Sequence, residues 1–321
     1  MSNRFLELLD AKPVLLADGA MGTNLFVAGL QTGSSPEPWN VDHPDRVIGI
    51  HEGFVNAGSD IILTNSFGGN RNRLKLDVGA DRVGELNEAA ARIARRVTDA
   101  ADRPVAVAGS MGPTGELFEP LGELTPDSAL AAFTEQAAAL AAGGADVLWV
   151  ETMSAVEEFE AAVGGAATTG LPVVATMSFD TKRRTMMGIK PDDYTRMCQK
   201  MADGPVAWGA NCGVGAGELL ETVLGLTSVA GPGDVIVAKG NCGIPVFVGD
   251  RLTYSGTPEV MAQYARLAVD AGVRIVGGCC GTTHEHMRAM ALALKDYTPG
   301  KRPELADIEA VFGEVWPKPA A

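Results

Sequence analysis

The sequence predicts a single (β/α)8 barrel, and three observations lead there. Eight short runs, apolar at nearly every position, recur along the chain; strands buried on both faces of a parallel sheet read this way, whereas strands with one wet face alternate. A helical stretch follows each run. The 321 residues suit one large α/β barrel, which takes roughly 250 residues. An open, doubly wound sheet of eight strands is the alternative.

Taken in order, the first strand is expected at Val14–Ala17 and its helix at 44–57; Asp60–Thr64 then precedes a helix at 81–101. Pro104–Ala108 precedes 126–142, Asp146–Val150 precedes 154–169, and Pro172–Met177 precedes 191–202. Val206–Ala210 precedes 216–228, Val235–Ala238 precedes 257–271, and Val273–Val276 precedes 283–295. Gly58, Gly143-Gly144 and Gly272 each stand where a helix ends and a short loop enters the next strand, the usual place for glycine at a helix C-terminus. Residues 1–295 are expected to form the barrel. Residues 296–321, with Pro299, Pro303, Pro317 and Pro319, are expected as a tail strapped on the outside or partly disordered.

Composition excludes several classes. A net charge of −14 opposes general nucleic-acid binding and polybasic membrane anchoring. Five cysteines, two of them adjacent, do not make a secreted disulfide framework. The start, MSNRFLELLD, carries Arg4, Glu7 and Asp10 where a signal peptide needs an apolar stretch. The Ala-rich segment 129–142 is broken by Thr134, Glu135 and Gln136, so no membrane span is expected. The expected location is the cytoplasm, with neither nucleic acid nor membrane as partner.

Barrel chemistry sits at the C-terminal ends of the strands. Those ends carry Asp18-Gly19, Thr64, Ser110, Glu151, Asn211-Cys212, Asn241-Cys242 and Gly277-Gly278-Cys279-Cys280-Gly281. Four of the five cysteines therefore meet one rim. Cys279 and Cys280 would face opposite ways in a regular strand, but the flanking glycines let them twist toward one point. With Cys212 they form an all-sulfur set for one Zn²⁺ with a fourth position open. Inert buried thiols and a vicinal disulfide are the competing readings. Asp18 and Glu151 each close an apolar strand and suit an ammonium group or ligand orientation; capping of the next loop is the plainer role. Cys198 and Cys242 read as packing, although Cys242 lies on the rim. His284 and His286 point to different faces, and Thr282 with Glu285 fits a capping box. Gly277–Gly281 is also a candidate phosphate cradle. Lys182-Arg183-Arg184 reads as a solvated loop or an anion dock, with Met186-Met187-Gly188 as a lid.

The motifs Gly277-Gly278-Cys279-Cys280-Gly281-Thr282-Thr283, Asn211-Cys212 and Asp18-Gly19-Ala20-Met21-Gly22-Thr23 resemble those of the homocysteine S-methyltransferase family over about residues 12–295. The resemblance implies the (β/α)8 fold and zinc ligation by Cys212, Cys279 and Cys280. It implies homocysteine contacts at Asp18, Gly19 and Glu151, with weaker candidates at Thr64 and Ser110. Asn241, in Gly240-Asn241-Cys242-Gly243-Ile244-Pro245, matches an element beside the zinc and is a candidate fourth ligand. The implied chemistry is attack of zinc-bound homocysteine thiolate on a methyl group, yielding methionine.

The methyl donor is the remaining expectation. Only 26 residues follow position 295, which leaves no room for folate or cobalamin domains. Gly68 and Thr152 stand where betaine-using relatives carry tyrosines; Trp39 near Glu37 is a candidate contributor to a cage, in a register that differs from the family pattern. The expectation is a homocysteine module served by a separate methyl-corrinoid protein, so that methylcobalamin enters only through a partner. Betaine, dimethylsulfoniopropionate or S-methylmethionine is the alternative donor, and a non-catalytic zinc-binding barrel the alternative class. Whether the chain forms a homo-oligomer is left open.

Overall fold

The apolar runs fold into one parallel sheet in a computed structural model that describes residues 3–243, 246–248 and 251–316. In chain order its strands are β1 (Leu15–Leu16), β2 (Ile61–Leu63), β3 (Ala106–Met111), β4 (Val147–Met153), β5 (Val173–Met177), β6 (Ala207–Cys212) and β7 (Ile236–Gly240). An antiparallel hairpin follows, β8 (Val246–Val248) with β9 (Arg251–Thr253), and then the last barrel strand, β10 (Val273–Gly278). The sheet order is β1-β10-β7-β6-β5-β4-β3-β2, and a parallel bridge from Ala17 to Ile61 joins the two outer members. The ring therefore closes, and the predicted (β/α)8 barrel is the observed fold.

The helices are α1 (Arg4–Ala11), α2 (Met21–Val27), α3 (Trp39–Asp42), α4 (Pro44–Ala57), α5 (Arg71–Leu74), α6 (Val83–Asp99) and α7 (Pro126–Ala142). They continue as α8 (Val156–Ala167), α9 (Pro191–Lys200), α10 (Ala216–Thr227), α11 (Pro258–Asp270), α12 (His284–Leu294) and α13 (Leu305–Phe312). The bounds of α4 and α7 coincide with expectation; α7 starts at a Thr125 cap that accepts the Ser128 N–H. β3, β4, β6, β7 and β10 run further than their apolar cores. The added residues include polar and small ones, such as Gly109-Ser110, Asn211-Cys212 and Gly277-Gly278, that still pair with neighbouring strands, a distinction that hydropathy cannot register. Ser110, Glu151 and Cys212 consequently stand on strands rather than on loops.

Alternate strand residues fill the barrel: Ala106 and Ala108, Val147 and Trp149, Val235 and Val237 share one cluster with Phe5 and Leu8 of α1. The N-terminal segment, whose significance in the sequence was only the lack of an apolar stretch, thus packs on the barrel interior through two side chains. In the 296–321 segment, α13 lies against α10 and α11, with Ile308 and Val315 buried; Pro317 and Pro319 lie outside the described residues. Among the described residues no helix is long and apolar enough to cross a membrane.

The β1–β2 seam has little backbone ladder, and buried Asp60 supplements it. Its Oδ2 accepts the Leu16 N–H at 3.0 Å, and its Oδ1 takes Lys12 Nζ at 2.6 Å and Arg103 at 3.4 Å. Asp60→Ala removes these bonds and leaves the buried Leu16 N–H unpaired. We expect a loss of about 3 kcal/mol in chemical denaturation; a change within ±0.5 kcal/mol, the range of an ordinary surface substitution, would show that the seam does not depend on it.

Candidate active site

A cavity of about 310 Å³ opens at the C-terminal end of the barrel, lined by Cys212, Cys279, Cys280, Glu151, Ser110, Thr64, Gly19 and Lys239, with Phe26 and Phe67 on its wall. A larger groove, about 700 Å³, runs past Lys12, Asn56 and Tyr297, but it carries no thiol or comparable constellation of chemistry-bearing groups.

The three thiols meet because two strand ends bend inward. Cys212 closes β6 with φ 62°, a left-handed conformation. Cys279 and Cys280 follow β10 and are pinned by their backbone: Cys279 N–H donates to Gly240 O at 2.7 Å and Cys280 N–H to Asn241 Oδ1 at 2.9 Å. The sulfur atoms all lie within 4.8 Å of one another, with Cys212 Sγ 3.9 Å from Cys280 Sγ. One tetrahedral ion with Zn–S near 2.3 Å needs ligand sulfurs about 3.8 Å apart, so this donor set fits such an ion. All five cysteines are free thiols, and the vicinal disulfide is therefore not what joins Cys279 and Cys280 here. As free thiols the three cannot all ionise. Hydrogen bonds from Cys279, Cys280 and the Asn241 amide hold Cys212 well below the ordinary thiol range, and the same sharing pushes Cys279 and Cys280 up.

Asn241 lies against the thiols as the sequence suggested. Its Nδ2 donates to Gly213 O at 2.9 Å and approaches Cys212 Sγ at 3.5 Å, while its oxygen holds the Cys280 N–H. This carboxamide ties the ends of β6 and β10 together. Cys242 is buried outside the three-thiol group, its N–H bound to Cys280 O at 3.0 Å. Cys198 is buried on α9.

The polar wall is a connected network. Ser110 Oγ donates to Glu151 Oε1 at 2.5 Å, Ser110 N–H donates to Thr64 Oγ1 at 3.0 Å, and Thr64 Oγ1 lies 2.6 Å from Ser66 Oγ. Asp18 is buried behind them; its Oδ2 accepts the Leu63 N–H at 2.7 Å and its Oδ1 the Lys239 ammonium at 2.8 Å. Burial pushes Glu151 up to about 7, against the pull of Lys239 and with a further push from Cys279. Burial opposes charge on Lys239 as well, but Asp18 and Glu151 together hold its ammonium above the ordinary lysine range.

Two residues of the rim to which the sequence reading gave no role contribute to the site. Lys239 ends an apolar strand, where a lysine ordinarily reaches solvent; the signal was its place on the catalytic rim. Asn211, beside Cys212, accepts the Thr152 N–H at 2.9 Å and the Thr176 hydroxyl at 2.7 Å through Oδ1 and donates to Thr152 Oγ1 at 2.7 Å. It thereby holds Thr152 at φ 64°.

Other expectations are corrected. Trp39 is buried with Leu25, Leu30 and Val47, under the Arg46 guanidinium at 4.7 Å, so it builds no cage. Glu37 accepts the Gly68 N–H at 2.7 Å. The Gly277–Gly281 segment does not present free N–H groups to a phosphate: Gly278 N–H binds Asp18 O at 3.0 Å and Gly281 N–H reaches Thr23 Oγ1 at 3.3 Å. The cap of α12 is Thr283 with His286, whose Nδ1 accepts the Thr283 N–H at 3.1 Å; Thr282 instead donates to Cys279 O at 2.6 Å. Lys182, Arg183 and Arg184 line a separate groove with Glu221, and Met186, Met187 and Gly188 are not among the residues lining the thiol cavity.

Residues 15–294 match the sequence profile of a family described as Homocysteine S-methyltransferase. The chain is 33% identical over 316 residues to a methionine synthase of Mycobacterium tuberculosis and 32% identical over 314 residues to one of Mycobacterium leprae. The alignments take in 93% of this chain and 26% of each relative, so the chain spans about a quarter of their length. Among solved structures, the metallated form of the homocysteine methyltransferase MmuM from Escherichia coli superposes with TM-score 0.75 at 22% identity, covering 90% of this chain and 99% of that one. This last likeness is one of fold.

Proposed function

The chain belongs to the homocysteine S-methyltransferase family and is a methyltransferase, and from that premise we propose that it forms methionine from homocysteine at the three-thiol site, with zinc as the resident metal. The carrying observation is the convergence of Cys212, Cys279 and Cys280 beside a buried acidic wall in one cavity. Zinc, when held by these three thiolates, supplies the Lewis acidity that keeps a substrate thiol deprotonated at neutral pH. The rest is done by the chain's own residues. Asn241 fixes the spacing of the two strand ends that carry the thiols; its oxygen is engaged by Cys280 N–H, and service as a fourth ligand requires release of that bond. The substrate's amino group is received at the acidic end, where Glu151 lines the cavity in front of buried Asp18, with Ser110 and Thr64 orienting Glu151. Gly19 lines the cavity, and the packing behind it leaves no room for a side chain: a Cβ there would stand 2.8 Å from Phe54 and Thr282. The substrate's sulfur forms its bond to the methyl carbon as the donor's bond to that carbon breaks, and the bonding electron pair leaves with the donor.

A methyl-corrinoid protein is the donor this reading favours, because the similarity to methionine synthases runs through nearly the whole chain. An onium donor such as betaine, dimethylsulfoniopropionate or S-methylmethionine is the second reading, favoured by Phe26 and Phe67, whose partly exposed rings wall the cavity. The thiol set suits the reducing cytoplasm. The test is methionine formation by the zinc-loaded chain from homocysteine, with glycine betaine or methylcobalamin as sole donor. Turnover on methylcobalamin alone is the expected result; turnover on betaine assigns the donor to the onium class. Failure of homocysteine to bind at all would overturn the function.

A further inference from the structure

Methyl transfer needs no lysine, yet Lys239 is buried at the acidic end of the cavity. Its Nζ lies 2.8 Å from Asp18 Oδ1 and 5.5 Å from the centre of the Trp149 ring. The other Asp18 oxygen takes the Leu63 N–H. Both oxygens of Asp18 thus have partners supplied by the chain itself. Glu151 differs: Ser110 occupies Oε1, and among the described residues no donor reaches Oε2, while the side chain lines the cavity.

We propose that Lys239 is a resident ammonium that satisfies Asp18, leaves Glu151 as the one carboxylate for a substrate's amino group, and so extends the acceptors to thiols that carry a carboxylate but no α-amino group. The proposal rests on the homocysteine reading and narrows it. Two buried carboxylates with no resident cation would demand an ammonium from every ligand, because each unpaired buried charge is costly. With Lys239 in place, a ligand lacking the amino group leaves one carboxylate unpaired instead of two. The simplest such acceptor is 4-mercaptobutanoate, which is homocysteine without its amino group. Its methylation balances in the same way: the S–CH3 bond forms, the donor's bond to the methyl breaks, and the thiol proton goes to solvent.

The test is calorimetric binding of homocysteine and of 4-mercaptobutanoate to the zinc-loaded full chain and its variants. One charge-assisted hydrogen bond corresponds to roughly tenfold to a hundredfold in affinity, so wild type should prefer homocysteine by about tenfold. Lys239→Met shortens the side chain and vacates the ammonium position, and the preference should rise by about another tenfold or more as a second carboxylate becomes available. The double variant Asp18→Asn/Lys239→Met removes both charges, avoids an unpaired buried carboxylate, and should restore the wild-type preference. An unchanged preference in Lys239→Met overturns the proposal. So does a wild-type preference above about a thousandfold, which exceeds one such bond and decides the matter even if Lys239→Met does not fold. If homocysteine itself fails to bind wild type, the homocysteine reading falls first and this proposal with it.

Discussion

Replacing Cys280 with alanine will yield a folded chain that retains neither zinc nor methyl transfer. The backbone N–H of Cys280 still reaches Asn241 Oδ1, so the rim keeps its shape while the ligand set drops to two sulfurs. Cys279→Ala should behave alike. Changing a residue that merely supports a metal ligand costs roughly tenfold to a hundredfold in affinity or activity; loss of a ligand itself should exceed that. Metal analysis after gel filtration, read beside methionine formation, checks both losses. A metal-free variant with full activity would sink the zinc assignment.

Glu151→Gln should raise KM for homocysteine by about tenfold to a hundredfold, the worth of one charge-assisted hydrogen bond, and change kcat far less. The carboxamide keeps the Ser110 contact and loses only the charge. Glu151 is pushed up to about 7 by burial, with Lys239, Cys279, Ser110 and Asp18 as the groups that face it. Below that pH it is neutral and cannot pair with an ammonium; above it the carboxylate forms. Homocysteine binding should therefore tighten from pH 6 to 8. The substrate thiol also ionises as pH rises, so the informative quantity is the ratio of wild type to Glu151→Gln at each pH. A ratio that is flat from pH 6 to 8 would rule out Glu151 as the titrating group.

The barrel was legible because strands buried on both sides announce themselves as unbroken apolar runs, and the thiols because Cys212, Cys279 and Cys280 sit just beyond such runs. What stayed hidden depends on long-range geometry. Lys239 and Asp18 are separated by most of the barrel in sequence, and no local pattern tells a buried lysine at a strand end from a solvated one. Asn211 acts through Thr152 and Thr176 on two other strands. Trp39 looked available because aromatic residues serve cages, whereas its ring fills a satellite cluster under Arg46. Phe5 and Leu8 belong to a helix, α1, ahead of the first strand, in a segment read only for its lack of an apolar stretch.

The clasp at the seam has a consequence for how such a site changes over generations. Asp18 Oδ2 holds the Leu63 N–H and so links β1 to β2 at the catalytic end, while Asp60 does the same work deeper in the barrel. A residue that both anchors the Lys239 ammonium and fastens the ring is not free to drift, because an exchange there also loosens the scaffold. Lys239 makes no bond across the seam itself, and β7 is paired on both sides, but its loss leaves the buried Asp18 carboxylate without its cation. Selection for a new acceptor through position 239 therefore has to change Asp18 with it, so that the clasp is not left with an unpaired buried charge.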